Sequence, residues 1–223
     1  MGKYLRDISI HTSNFQELPP GKNQKDFNIT THNVQDMFFY QIPRKFEFEG
    51  ISKLNILITS SAQGDQRLTK YFDGIVEYNY PGIDFEEYFT FSREEQNHVI
   101  LRILRETIED IGKDSADKKE ILLEITDSII NNNFELVRES KKLSKRTRDK
   151  KYLAFVSVKV NGEGQNAFID ILDKDGNKII HEHLLTNLVY DFWTNLYSSK
   201  WDGHTFKILD RNGGVFKQYE VKV

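Results

Sequence analysis

With no cysteine among 223 residues, this chain can do chemistry only through carboxylates, imidazoles, hydroxyls and amines. Disulfides, thiol catalysis and thiolate metal sites are excluded together. The best local arrangement is His181-Glu182-His183 with Asp170 upstream. On a strand both histidines project from one face. If Asp175-Gly176 closes a two-residue loop, Asp170 lies opposite His181, and two imidazoles and a carboxylate could hold a first-row metal. A three-residue loop with a bulge would break that register. Histidines on a hairpin are more often plain surface residues, so no metal is assigned.

Four other spacings imitate sites. Asp173-Lys174-Asp175-Gly176-Asn177 with Glu182 has the rhythm of a calcium loop, but its first ligand would be Ile171 and its flanks read as strands. Glu95-x-x-His98 imitates a carboxylate-bridged metal motif, which must occur twice. Asp210 with Glu220-Val221-Lys222 imitates a nuclease triplet. Paired about Asn212-Gly213, those carboxylates fall about 17 Å apart at the usual strand rise, whereas a two-metal site spans about 4 Å. Glu139-Ser140-Lys141 has the same form, with Asp127, its nearest preceding aspartate, on a helix. The last is basic: Lys141, Lys142, Lys145, Arg146, Arg148, Lys150 and Lys151 fall within eleven residues, without interleaved aromatics. It reads as a solvated hairpin tip. No Gly-rich phosphate loop, G-x-S-x-G elbow or H-E-x-x-H is present. No catalytic residue, cofactor or metal is assigned.

The element that positions the rest is Ser92–Lys113. Ser92 and Glu95 form a capping box. Ile100, Leu101, Ile103, Leu104, Thr107, Ile108 and Ile111 make one broad apolar stripe, and Gly112 is the expected left-handed stop. Ser115–Ile130 is a second helix with Ile121, Leu122, Ile125 and Ile129 inward, so the two pack as an antiparallel pair. Before them, Lys3–His11 is a strand and Asn14–Asn33 a long polar loop. Residues 37–42, 45–50, 54–58 and 71–80 are strands of an antiparallel sheet, the last ended by Pro81-Gly82. Asp84–Phe91 suits either a short helix or an extended exit. After the helices, strands at 134–143, 152–160, 167–172, 177–184, 205–210 and 214–221 make a meander. Thr186 caps one late helix carrying Leu188, Val189, Phe192, Trp193, Leu196 and Tyr197.

The fold class is therefore α+β: mainly antiparallel sheet, a central antiparallel helix pair, and a C-terminal β-meander containing one helix, as a single domain. Its sub-units would be 1–83, 84–133 and 134–223. Twenty-eight aromatics provide a core, and no apolar run reaches membrane length. The opening MGKYLRDISI has no signal-peptide character. A cytoplasmic location is expected. Isoleucine (22) far exceeds alanine (4), a bias suggesting an AT-rich bacterial genome.

Net charge is −3, yet residues 84–133 carry thirteen acids and six bases, and residues 134–151 three acids and eight bases. The acidic helices place Glu95, Glu106 and Glu109 on the outer face of the first helix. The leading expectation is a non-catalytic protein-binding module, an inhibitor or immunity-type protein for a basic partner, bound through these three carboxylates. Nucleic acid and membrane are not the expected partners. Two other classes stay open: a hydrolase or nuclease with a site assembled from distant residues, and a nucleic-acid-associated protein using segment 141–151.

Overall fold

The computed structural model describes residues 3–12, 18–60, 69–162, 164–187 and 196–221. Among them are four helices and twelve strands in three mostly antiparallel sheets, an α+β fold. The chain divides into two compact units, Met1–Glu135 and Leu136–Val223.

In the first unit, β1 (Asp7–Thr12), β2 (Lys53–Ser60), β4 (Ile75–Ile83) and β3 (Thr69–Phe72) form a sheet in that order. Its β1–β2 and β2–β4 pairs are parallel and only β3–β4 is antiparallel, which corrects the all-antiparallel expectation for this sheet. The cause is α1 (Gln24–Gln41), a helix where a loop and a strand were expected. Asn23 opens it with a capping box to Asp26, and Phe27, Thr30, Thr31, Val34, Met37 and Phe38 are buried at helical spacing. A helix of this length lets the chain return to the starting edge, as parallel pairing requires.

Residues 45–50 are turns that bury Phe46 and Phe48, not a strand. The expected single strand at 71–80 is a hairpin: Asp73-Gly74 turns β3 into β4, with both residues at positive φ. Pro81-Gly82 does not end β4; the β2–β4 register shifts there, and a bulge tolerates the missing proline N–H.

The short helix α2 (Phe85–Tyr88), capped by Asp84, leads into α3 (Arg93–Ile111). The Ser92–Glu95 capping box is present and the whole expected stripe is buried, with Gln96 and Asn97 added. Gly112 is not left-handed (φ −81°). Glycine is required there for space, since a Cβ would meet the Ile108 carbonyl oxygen at 2.9 Å and the Phe48 ring at 3.0 Å. α4 (Ala116–Asn131) packs against α3, residues 98–105 facing 126–130. Its inward stripe is Leu122, Ile125, Thr126 and Ile129; Ile121 is exposed, contrary to expectation.

The second unit is antiparallel throughout its described residues. β5 (Leu136–Glu139), β7 (Leu153–Asn161), β8 (Gly164–Leu172) and β9 (Lys178–Asn187) form one sheet in that order, and β6 (Lys145–Arg146) also pairs with β7. Ala154, Val156, Val158 and Val160 all point into the core, as their alternation requires. β10 (Ser198–Asp202), β11 (Thr205–Leu209) and β12 (Val215–Glu220) form the other sheet. Thr186 lies inside β9 and does not cap a helix. The proposed late helix falls largely on residues 188–195, outside the described residues. Leu196, fully buried, and Tyr197 lead directly into β10.

Candidate anion-binding cleft

A basic cleft lies in the second unit, where β5 runs into a tight turn. The Leu143 and Ser144 N–H groups both donate to the Ser140 carbonyl. Leu143 is fully buried and pins the turn, leaving Lys141 and Lys142 in solvent. Two bonds fix the turn's position. The Ser140 N–H donates to the Val156 carbonyl at 2.8 Å, and the Ser199 hydroxyl donates to the Leu143 carbonyl at 2.6 Å.

Two further segments complete the cleft. The Tyr197 N–H donates to the Leu209 carbonyl at 3.0 Å, which holds the ring beside the turn. In the β11–β12 loop, Asp210 Oδ1 accepts from the N–H groups of Asn212 (2.8 Å) and Gly214 (2.9 Å), so Arg211 stands at the loop tip. Gly214 leaves room for this wrap: a Cβ would meet the Asp210 carboxylate at 2.7 Å.

The resulting cleft of 640 Å³ is lined by Arg138, Glu139, Ser140, Lys141, Lys142, Tyr197 and Arg211. Among the described residues, its lining holds four cations and one carboxylate. The Lys142 ammonium lies 3.8 Å from the centre of the Tyr197 ring. Among the described residues, Lys141, Lys142 and Arg211 have no carboxylate within ion-pairing distance. The Lys141, Lys142 and Arg211 charges repel one another, and an anion in the cleft relieves that cost.

The rest of the basic segment forms a turn beyond β6. Thr147 Oγ1 donates to Asp149 (2.7 Å) and accepts from the Tyr152 N–H (3.1 Å), presenting Arg148, Lys150 and Lys151 to solvent. Hydrogen bonds from Thr147 and the Lys151 N–H hold the Asp149 carboxyl below its usual range. A smaller cleft of 400 Å³ beside it includes Arg148, Trp201 and His204. The Trp201 indole N–H donates to the Lys145 carbonyl at 2.9 Å, and its ring lies near Tyr152 and Phe206.

The three carboxylates singled out on α3 sit differently from one another. Glu95 is exposed and accepts from the Ser92 N–H at 2.7 Å, a bond that holds its carboxyl below the usual range. Glu106 is half-buried and accepts from the Tyr80 hydroxyl at 2.8 Å. Glu109 is exposed and pairs with Arg105 at 3.4 Å, and Arg105 also reaches Asp127. Each carboxylate already has a partner within the unit.

Asp170 does lie opposite His181, 2.6 Å from its Nδ1, because the longer turn at 173–177 is offset by a register shift at Ile171/Leu172. Burial raises the Asp170 pKa, but Lys178 and His181 outweigh it and hold the carboxyl below the usual range. His183 does not join them. The Phe168 ring lies against both imidazoles, and His183 Nε2 lies 2.9 Å from the Thr186 hydroxyl. Among the described residues no three His, Asp or Glu groups are placed to hold a metal ion. No described helix is long and apolar enough to cross a membrane.

Sequence reasoning found Lys141 and Lys142 but not Arg138, Tyr197 or Arg211 as their neighbours. Asn212-Gly213 marked the loop that carries Arg211, the nearest thing to a signal. No known protein family, curated protein or solved structure matches this chain.

Proposed function

We propose that the second unit binds nucleic acid through its phosphates, without catalysis, in the cleft of Arg138, Lys141, Lys142 and Arg211. One observation carries this: Lys141 and Lys142 on one turn and Arg211 on a separate loop line one open cleft, and among the described residues none of the three has a carboxylate within ion-pairing distance. Residues 136–223 also carry 16 Lys+Arg against 11 Asp+Glu, net +5, while residues 1–135 carry 15 against 23, net −8. Phosphates are drawn to such a patch by counterion release. Guanidinium groups bind them as planar forks and lysines as point charges. The test is fluorescence anisotropy with a labelled 20-nucleotide strand and its duplex. Wild-type protein binds, and the K141E/K142E/R211E variant does not. Equal binding by both proteins removes the cleft from the account.

A second reading, protein binding through the first unit, draws on one observation. Helix α4 exposes Ile121 and Ile130 among exposed Glu120, Glu124 and Asp127. Apolar side chains ringed by carboxylates suit a partner with a basic, partly apolar surface. Glu95, Glu106 and Glu109 on α3 then act mainly by steering a cationic partner. Pull-down with an I121E/I130E variant tests it: a partner retained by wild type and lost by the variant supports it, and equal retention ends it.

A further inference from the structure

We infer that the cleft takes single-stranded nucleic acid, with one base stacked on the Tyr197 ring. This rests on the phosphate-binding reading of the same cleft and specifies its ligand. Phosphate recognition alone needs only cations and hydrogen-bond donors, and an exposed aromatic face among them adds a stacking surface that an unpaired base can use. Here Tyr197 is 44% exposed and lines the same 640 Å³ space as Lys142 and Arg211. Its backbone bond to Leu209 and its place at the head of β10 fix the ring beside the turn. A duplex keeps its base faces inside the stack, whereas a single strand offers each face to an aromatic platform.

Lys142 makes the two functions interdependent. Its ammonium rests on the Tyr197 ring, a weak cation–π contact at an exposed site. An incoming phosphate offers that ammonium a stronger, charge-assisted partner. The ammonium moves to the phosphate, and the ring face it leaves is covered by the adjoining base. Glu139 has a place in this scheme too. A lone carboxylate in a phosphate site is unfavourable, but beside a splayed base it accepts hydrogen bonds from the ring-edge N–H groups that bases carry. The cleft volume falls in the range of small-ligand sites, room for a nucleotide unit rather than a whole duplex face.

The experiment measures anisotropy of the full chain with a labelled 12-nucleotide mixed-sequence strand, its duplex, and labelled heparin as a polyanion without bases. Wild type binds the single strand at least about tenfold more tightly than the duplex, as base–aromatic stacking provides. Y197A lowers single-strand affinity about tenfold while leaving heparin affinity unchanged, and Y197F restores the single-strand value. Circular dichroism and the thermal midpoint confirm that both variants fold. Equal affinity for strand and duplex, or a Y197A protein that binds the strand like wild type, overturns the stacking inference while the phosphate reading stands. Failure to bind any of the three probes overturns both.

Discussion

Lys142 and Tyr197 come from different parts of the second unit, a turn after β5 and the head of β10, and meet with the ammonium 3.8 Å from the ring centre. The meeting depends on Leu143, whose burial and bond from Ser199 anchor the turn. Leu143→Ala should therefore loosen the cleft as well as the core. It should cost about 2–5 kcal/mol, the range for truncating a buried leucine. Urea denaturation checks the stability. Anisotropy in native buffer should show weakened nucleic-acid binding although no charge has changed.

In the first unit, the Tyr88 hydroxyl donates to Thr30 Oγ1 at 2.7 Å, and the Tyr88 ring lies near Phe27. Burial raises the Tyr88 pKa far above its ordinary value, so the phenol stays neutral and donates. Tyr88→Phe should lower stability by about 0.5–1.5 kcal/mol, the net worth of one internal hydrogen bond. Phe27→Ala should cost about 3–5 kcal/mol. Urea midpoints of the two variants test the ranking.

Strand β1 lies at the edge of its sheet, and Gln35 of α1 accepts from the Ile10 N–H at 3.0 Å. This side chain supplies the acceptor that a neighbouring strand would otherwise give. Gln35→Leu leaves the amide buried and unpaired, at a cost of about 1–3 kcal/mol. Hydrogen exchange at Ile10 should accelerate selectively. Unchanged protection there would mean the bond contributes nothing.

Much of the second unit was legible because β-sheet writes its face into every other residue. The Val156–Val158–Val160 alternation and the Asp175-Gly176 and Asn212-Gly213 turns identify its strands directly. The strand β10 was not legible, since Leu196 and Tyr197 before it also fit the end of an apolar helical stripe. α1 was missed for a different reason. Its buried face includes Thr30, Thr31, Asn33 and Gln35, polar residues that do not mark an inward face; Thr30 and Thr31 bond back to the Phe27 and Asn28 carbonyls, and Thr30 and Gln35 also accept from Tyr88 and the Ile10 N–H. Residues 37–40, MFFY, meanwhile have strand propensity, which packing overrides. The candidate cleft was least legible. Its cations converge through hairpin geometry, and nothing near Lys142 in sequence announces Tyr197.

His11 gives a pH dependence. Burial, then the nearby Lys53 charge, holds its pKa below the ordinary 6.5, while a hydrogen bond to Asn28 and the Asp7 charge act the other way. The unfolded chain therefore binds this proton more readily than the folded one. Its stability contribution is intact above pH 6.5 and is lost progressively as pH falls from there toward the depressed folded value. Urea midpoints should fall between pH 7.5 and pH 5.5, and His11→Gln should flatten that slope. An unchanged slope in the variant would assign the effect elsewhere.

On α3, Glu106 and Glu109 should separate cleanly. Glu106→Ala loses the bond from Tyr80 and should cost about 1 kcal/mol. Glu109→Ala loses one exposed pair with Arg105 and should change stability by less than about 0.5 kcal/mol. Thermal melts of the two variants give the comparison directly.

The claim that phosphates occupy the cleft is tested most directly by the salt dependence of affinity. The logarithm of the association constant for a 20-nucleotide strand, plotted against the logarithm of salt concentration, should fall linearly, and its slope counts the phosphates neutralised. Lys142→Ala and Arg211→Ala should each reduce the slope by about one contact. A salt-independent affinity, or a slope that neither substitution changes, would contradict the account.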